Sequence, residues 1–323
     1  MPRLSIVIPC QTCDERFENT LASVLQNRPA DAEVIVVFAG VYDDPYDLCD
    51  EVRFVEVSAD APVTALLQAG IELAHGDIVH LLQCGVEVED GWTRAPLQRF
   101  NIDTVGSVAP VVLNRNAPTE RGTAGLRYGR GGRRKICDAV IRRDERRVPR
   151  ILGPSWQAAF YRREAISRIG GIDPAVGAEL ADVDLALSLQ SAGYTTVCET
   201  SSRVLVSEAA PVPTKSFSQA ARSEYLFWKH AGQQGWLRSL IAHLFLVTGE
   251  VLQLLVSPGT FVCLLGRLYG SVRRPPCPEP QVCSEKHSRR RYRSRGRTGS
   301  GPRALDAAAE PKRQRDTLRR NVA

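Results

Sequence analysis

Residues Pro62 to Gly85, PVTALLQAGIELAHGDIVHLLQCG, contain the helix and the strand that decide the fold. Pro62–His75 has helical spacing, and Gly76 follows it as a helix terminator. The apolar face of this predicted helix contains Ala65, Leu66, Ala69 and Leu73. Asp77–Leu82 is a short apolar run, as expected of a strand that is buried on both faces of a sheet. The strand ends at Gln83-Cys84-Gly85, and the carboxyl end of a buried parallel strand is a favoured position for a ligand.

The same alternation of apolar strands and helices extends over the first 110 residues. Predicted strands are Leu4–Pro9, Glu33–Gly40 and Val52–Val57, and a predicted helix is Glu18–Gln26. Strands separated by helices of this length form βαβ units, so we expect an α/β fold with a mixed, mainly parallel sheet flanked by helices. The ends of these strands then meet at the carboxyl edge of the sheet, where α/β proteins bind ligands.

The second half of the chain has weaker patterns. Leu126–Arg150 contains ten Lys and Arg residues, three acidic residues and little periodicity, and we predict a mobile basic loop there. Further predicted strands are 104–113, 157–161 and 195–198, and further predicted helices are 163–169 and 182–192.

A long apolar helix is predicted for Leu237–Val256. Its polar residues form a narrow stripe that contains Ser239, His243, Glu250, Gln253 and Ser257. The helix is short for a membrane span, and Glu250 would be costly in a bilayer core. Two interpretations remain open, in which the helix lies in a membrane interface or covers an apolar face of its own domain.

The net charge of +6 is unevenly distributed. Residues 271–323 contain 15 Lys and Arg against five Asp and Glu, whereas the preceding residues contain 27 basic and 31 acidic ones. The low-complexity sequence from Val272 onward predicts a disordered tail, which is either only solvated or contacts anionic lipid or, as the less favoured partner, nucleic acid. We therefore divide the chain into an α/β domain (1–210), a helical amphipathic segment (211–271) and a basic tail (272–323).

The cysteine content and the first residues favour a reducing compartment. Nine cysteines, an odd number, do not indicate a disulfide framework, and Met1–Pro9 leads directly into a strand without an apolar leader. We expect a cytoplasmic protein, with peripheral contact to the inner face of the membrane through residues 237–270 as a further expectation. Cys10 and Cys13 form a CxxC pair, which alone is weak evidence for redox chemistry or zinc.

Several motifs occur in an order that resembles the GT-A fold glycosyltransferases of the family-2 type, over about residues 4–207. They are LSIVIP (4–9), LASVLQN (21–27), QAGIELAHGDIVHLL (68–82), VEDGW (88–92), AAFYRREAISRIGGIDPAVG (158–177) and ADVDLALSLQSAGY (181–194). The last two are the most specific. The resemblance implies a GT-A fold and the transfer of a sugar, with inversion, from a nucleotide-sugar donor to a glycan or lipid-linked acceptor.

The resemblance also implies roles for single positions. Asp182 aligns with the general base of the family, which takes the proton of the acceptor hydroxyl, although an Asp at this position is also favoured as a helix cap. The expected substrate-binding positions are Pro9, Glu15, Gly40, Gln68, Asp77, Gln83, Gly85, Trp156 and Asp184.

The metal ligands of the family are missing. The family has Asp-x-Asp, which holds Mg²⁺ or Mn²⁺ on the donor diphosphate, at the position of Gln83-Cys84-Gly85. Val37–Val41 and Ala181 also lack the acidic residues of the family pattern. A divalent metal is therefore expected of the family but not of this site. Two replacements for the metal are considered, namely Arg133, Arg134 and Lys135 on the diphosphate, or a zinc site of Cys10, Cys13 and Cys84. A basic loop that is only solvated, without a phosphate role, is the favoured alternative to the first.

The leading hypothesis is thus a metal-independent glycosyltransferase. The alternative is a catalytically degenerate domain of the same fold that binds a glycan, a nucleotide or a protein partner. A scaffold that associates with membrane or nucleic acid through the basic tail is a third, less favoured class.

Overall fold

The computed structural model describes residues 4–116, 121–141, 146–147, 150–207, 216–253 and 260–273. The strands are β1 Leu4–Cys10, β2 Glu33–Ala39, β3 Val52–Val57, β4 Ile78–Leu82, β5 Val86–Val88, β6 Val105–Asn114, β7 Arg121–Tyr128, β8 Arg134–Ile141, β9 Arg146–Arg147, β10 Ala158–Arg162 and β11 Thr195–Val206. The helices are α1 Glu15–Asn27, α2 Val63–Leu73, α3 Arg94–Arg99, α4 Arg163–Arg168, α5 Ala181–Ser191, α6 Phe217–His230, α7 Trp236–Gln253 and α8 Thr260–Val272. The predicted tail lies outside the described residues from 274 onward.

The described strands form one mixed sheet. Its first part, β3-β2-β1-β4, is parallel, and β10 then runs antiparallel between β4 and β6. From β6 the sheet continues antiparallel through β7, β8 and β9, while β11 pairs in parallel with β6 and antiparallel with β5. The predicted α/β class, with a parallel central region flanked by helices, is confirmed.

The apolar strands are buried on both faces, as their continuous hydrophobic runs predict. In β1, Ile6 and Ile8 pack with α1 in one core cluster, whereas Val7 packs with α2 and α5 in another. The carboxyl ends of β1, β2 and β4 lie side by side at one edge of this parallel region, where α/β proteins bind ligands.

The prediction of a mobile basic loop at Leu126–Arg150 is wrong. Strands β7 and β8 form a hairpin, which we call the basic hairpin, with a turn in which the Gly129 N–H donates to the Arg133 carbonyl at 2.8 Å. Small or apolar residues of the hairpin, Ala124 and Ala139, complete a core cluster with strand β6. The basic residues between them hid this alternation in the sequence.

Three helices follow the last strand. Helix α8 crosses α6 closely, because Gly266 and Gly270 lie against the α6 backbone. In α7 Ser239 and His243 are buried and Glu250 is half-buried, so this part of the predicted polar stripe faces the protein. Gln253 is exposed, and Ser257 lies outside the described residues. The helix therefore covers its own domain, but with its polar rather than its apolar side. Among the described helices, none combines the length and apolar character that crossing a membrane requires.

Candidate active site

The carboxyl end of β4 is held rigidly against its neighbours. The Gln83 N–H donates to the Gln157 carbonyl at 3.0 Å, which ties the end of β4 to the start of β10. The Cys84 thiol donates to the Pro9 carbonyl at 3.0 Å, and the Gly85 N–H donates to the Thr20 hydroxyl at 2.9 Å. Gly85 has a φ of +88°, which favours glycine. The structure thus brings Pro9, Gln83 and Gly85 together, and their role in substrate binding stays a prediction.

Asp182, the predicted base, is fully buried in the first turn of α5 and paired with Arg134. Arg134 lies at the start of β8, and its guanidinium donates to both carboxylate oxygens of Asp182, at 3.1 and 2.6 Å. The Val183 N–H also donates to Asp182, at 2.9 Å. Burial raises the pKa of Asp182, and the bonds from Arg134, Val183 and the Trp156 backbone oppose that rise. The carboxylate is therefore positioned by the basic hairpin rather than open to solvent.

Two residues that adjoin Asp182 each have a buried hydrogen-bond donor without a partner among the described residues. These donors are the indole N–H of Trp156 and the hydroxyl of Tyr161. Trp156 also donates its backbone N–H to Asp182, and burial and the Asp182 charge raise the pKa of Tyr161. Buried polar groups are normally bonded, so unpaired donors beside a carboxylate are consistent with a site that takes a polar ligand.

Asp184, the second acid of the motif, has a different environment. Its carboxylate bonds His230 Nε2 at 2.7 Å and Lys229 Nζ at 2.9 Å, and it is buried. Lys229 also bonds Asp173 at 2.9 Å. Asp184 therefore joins α5 to α6, and its oxygens are already bonded to Lys229 and His230.

Of the other predicted substrate positions, Asp77 and Gln68 lie away from this edge. Asp77 precedes β4, at the end of the strand opposite to Gln83. Gln68, in the middle of α2, accepts the Ile172 N–H at 3.0 Å and supports the turn at Gly171. Glu15 is exposed in the first turn of α1. Gly40 follows β2 at the carboxyl edge, with a φ of +92°.

The three basic residues assigned to a diphosphate do not point the same way. Arg134 is half-buried on Asp182, whereas its neighbours Arg133 and Lys135 are exposed. Successive side chains of a strand project from opposite faces, so Lys135 does not share the face of Arg134. Arg134 is thus the member of the group that reaches the candidate site.

The residues at the Asp-x-Asp position do not fit a hard divalent cation. Gln83 has one neutral carbonyl oxygen, Cys84 is a soft thiol that already donates to Pro9, and Gly85 has no side chain. Among the described residues, one group of three possible metal ligands lies within bonding reach of a single ion, namely Asp44, Asp47 and Cys49 in the loop after β2. Asp44 already accepts the Leu48 and Cys49 N–H groups, so this group has a structural role without an ion.

The three thiols of the zinc alternative lie near one another. Cys10 Sγ is 3.4 Å from Cys13 Sγ, and Cys84 adjoins Cys10. The bond from Cys84 and burial raise the pKa of Cys10, and burial raises the pKa of Cys13 to about 12. Cys10 and Cys13 are therefore protonated at neutral pH in the absence of an ion, whereas zinc binds the thiolate.

Sequence reasoning missed the partners of the two acidic residues. The sequence predicts a phosphate contact for Arg134, whereas the structure pairs it with Asp182, and no sequence pattern indicates a role for His230 or Lys229. They follow Asp184 by 45 or more residues, and an isolated Lys-His pair in a helix carries no motif. Only their convergence in space identifies them.

Comparisons with known proteins support the fold. No protein-family model matches the sequence, and no curated protein is significantly similar to it. Among solved structures, GalNAc-T7 with UDP, GalNAc and Mn²⁺ has a TM-score of 0.56 at 15% identity, over 70% of this chain and 47% of that chain. A mannosyltransferase, PcManGT from Pyrobaculum calidifontis in complex with GDP-Man and Mn²⁺, has a TM-score of 0.47 at 15% identity, over 84% and 87% of the two chains. The first match shows a fold of the GT-A glycosyltransferase type; the second is too distant to carry an argument.

Proposed function

We propose that this protein is a glycosyltransferase of the family-2 type, with a degenerate Asp-x-Asp motif, that transfers a sugar with inversion from a nucleotide-sugar to a glycan or lipid-linked acceptor. Residues 1–210 form the proposed transferase domain, 211–271 its helical segment and 272–323 the basic tail. The observation that carries the proposal is the Arg134–Asp182 pair at the carboxyl edge of a GT-A-type sheet. It supplies a carboxylate and a cation where the fold family performs its chemistry.

In the proposed reaction Asp182 accepts the proton of the acceptor hydroxyl. The acceptor oxygen forms a bond to the anomeric carbon from the face opposite the leaving group. The bond from that carbon to the diphosphate breaks, and its electron pair leaves with the nucleoside diphosphate. Arg134 pairs bidentately with carboxylate here, and the same guanidinium geometry suits a diphosphate. We propose that the donor draws Arg134 onto its diphosphate, which frees Asp182 and replaces the charge of a metal.

Substitution of the pair tests the proposal. Asp182→Asn is expected to lower the released UDP, GDP or dTDP by at least about a hundredfold, because the amide cannot accept the proton. Arg134→Ala is expected to lower turnover as well, although it leaves the carboxylate free of its partner. Arg133→Ala and Lys135→Ala are matched controls, because these side chains are exposed and are expected to change turnover little. Activity should survive EDTA.

The fold of each variant is checked by thermal denaturation. Arg134→Ala leaves a buried carboxylate without its cation, which typically costs about 3–5 kcal/mol, so Arg134→Lys is a milder companion that retains a charge. Full turnover in Asp182→Asn, or loss of turnover on chelation, would contradict the proposed mechanism.

A second candidate is favoured by the burial of Asp182. Its carboxylate is fully buried and already bonded to Arg134, as expected of a structural ion pair in a non-catalytic domain that binds a nucleotide, a glycan or a protein partner. A panel of nucleotide-sugars, read by thermal shift and by nucleotide release, with and without Mn²⁺, separates the two. A higher melting temperature without nucleotide release in any condition supports a non-catalytic binding domain. Nucleotide release supports the enzyme.

A further inference from the structure

In helices α7 and α8, large apolar side chains face outward and several polar side chains face the protein. Large apolar side chains of both helices are exposed, among them Trp236, Leu237, Phe245, Leu252, Phe261 and Leu268. Phe245 is 76% exposed and Leu268 is 66% exposed, values that are unusual for side chains of this size. Exposed apolar side chains that are concentrated on two contacting helices normally mark an interaction site. We call these side chains the apolar face of α7 and α8.

The polar residues of the same helices are used inside the protein. His243 in α7 bonds Glu224 in α6 at 3.1 Å, and Arg267 in α8 bonds Glu250 in α7 at 2.6 and 2.8 Å. Arg267 also bonds Glu224 at 3.0 Å. Rotating either helix to hide its apolar residues would break these ion pairs and expose their partners. The network therefore holds the apolar face outward.

The charges near this face fit an anionic surface. Besides the internally paired His243, Glu250 and Arg267, the charged residue of the two helices is Arg238, which is exposed, and Arg273 follows α8. Residues 271–323 contain 15 Lys and Arg against five Asp and Glu. An apolar helical face with adjacent basic residues is the pattern of helices that lie in the interface of an anionic bilayer. The helices have 18 and 13 residues, shorter than a typical span of about 20.

We propose that the apolar face of α7 and α8 docks on the surface of an anionic lipid bilayer, with its side chains in the interfacial region and the basic residues on the lipid headgroups. The apolar face does not depend on the proposed transfer reaction, so its binding to lipid vesicles is measured without turnover.

Vesicle flotation with the full chain tests this docking. The probes are vesicles of phosphatidylcholine alone or mixed with phosphatidylglycerol. The unmodified protein is expected to float with the mixed vesicles and to float less with phosphatidylcholine alone. High salt is expected to reduce its flotation with the mixed vesicles. Phe245→Ser/Leu268→Ser is expected to weaken binding at least about tenfold, because two apolar side chains no longer enter the interface.

Val41→Ser/Ile102→Ser is the matched control. These residues are 74% and 54% exposed but lie outside α7 and α8, so the control is expected to bind like the unmodified protein. Both double variants remove exposed side chains, and unchanged melting temperatures check that each is folded. As a second readout, vesicles with brominated acyl chains should quench tryptophan fluorescence less in Trp236→Phe than in Trp228→Phe, because Trp236 lies on the apolar face.

Three results would overturn the proposal. They are no flotation with mixed vesicles, flotation that the Phe245→Ser/Leu268→Ser variant retains, and flotation that is insensitive to both salt and phosphatidylglycerol. Light scattering distinguishes a competing occupant. A dimer that this variant dissociates, in a protein that does not float, would assign the face to a second copy of the chain instead.

Discussion

Two buried histidines have opposite protonation states because their neighbours differ. His80, in β4, stacks on Phe160 with ring centroids 3.7 Å apart; its Nδ1 faces the Ala159 carbonyl and its Nε2 accepts the Trp92 indole N–H. One nitrogen donates and the other accepts, so the ring is neutral. In His243 both nitrogens face acceptors, namely the Gly131 carbonyl and Glu224, and the protonated ring satisfies both.

The neutral state of His80 predicts a loss of stability in acid. Burial lowers the pKa of His80 from 6.5 to about 3, so below pH 6.5 the unfolded chain binds a proton that the folded protein excludes. The contribution of neutral His80 to the free energy of unfolding is present above pH 6.5 and is lost as the pH falls toward 3. Between pH 8 and pH 5 it amounts to about 2 kcal/mol of unfolding free energy. Denaturant unfolding at several pH values should show a shallower acid dependence for His80→Leu; an identical dependence would be evidence against a neutral His80.

At the scale of elements, the crossing of α6 and α8 depends on two glycines. A Cβ on Gly266 would lie 2.4 Å from the Phe217 carbonyl oxygen, and one on Gly270 would lie 2.1 Å from the Ala221 carbonyl oxygen. These are backbone atoms of α6, which cannot move aside as a flexible side chain can. The four-residue spacing puts both glycines on the face of α8 that contacts α6. The absence of side chains there is what permits the close approach.

Gly270→Ala is therefore expected to destabilise the protein, although alanine is the better helix former. Overpacking of this kind costs about 1–3 kcal/mol, which exceeds the gain of roughly 1 kcal/mol in helix propensity. Gly249→Ala in α7 is the control, since its Cβ would meet nothing within 4 Å. Only the gain in helix propensity is therefore expected there. Chemical denaturation measures both. Equal stabilisation by the two substitutions would mean that α8 does not cross α6 in this way.

At the scale of the whole molecule, a buried ionic network joins the C-terminal helices to the sheet. Glu224 bonds His243 and Arg267, and His243 reaches the turn of the basic hairpin at Gly131. The same hairpin carries Arg134. The network thus connects the apolar face of α7 and α8 with the residue that holds Asp182.

Removing Glu224 is expected to destabilise the protein in a pH-dependent way. Burial lowers the pKa of His243, but the bonds to Glu224 and the Gly131 carbonyl outweigh burial and raise it. The stabilisation from protonated His243 is complete below about pH 6.5, which is the pKa of histidine in the unfolded chain. It is lost as the pH rises through the higher pKa of His243 in the folded protein. Glu224→Gln should cost roughly 3 kcal/mol at pH 6 and less at pH 9. Unfolding curves at the two pH values measure the difference, and a cost that grows with pH would contradict a charged His243.

The sequence by itself determined the parallel half of the sheet and the position of Asp182. Continuous apolar runs such as Leu4–Pro9 and Asp77–Leu82 predict buried strands, because a strand covered on both faces has no polar side. A Gly after a helix marks its end locally, and an Asp at the start of α5 is visible in the same way. Each of these properties depends on residues within a few positions of one another.

Only the tertiary structure decided what these residues touch. The basic hairpin differs from the predicted loop because the small residues Ala124 and Ala139 are buried against β6, while the basic residues around them hide the strand pattern. The bonding of Asp182 to Arg134, of Asp184 to His230, and of the α7 polar stripe to Glu224 likewise joins distant segments. The pairing of buried charges depends on where both partners lie after folding. Local sequence patterns therefore do not predict it.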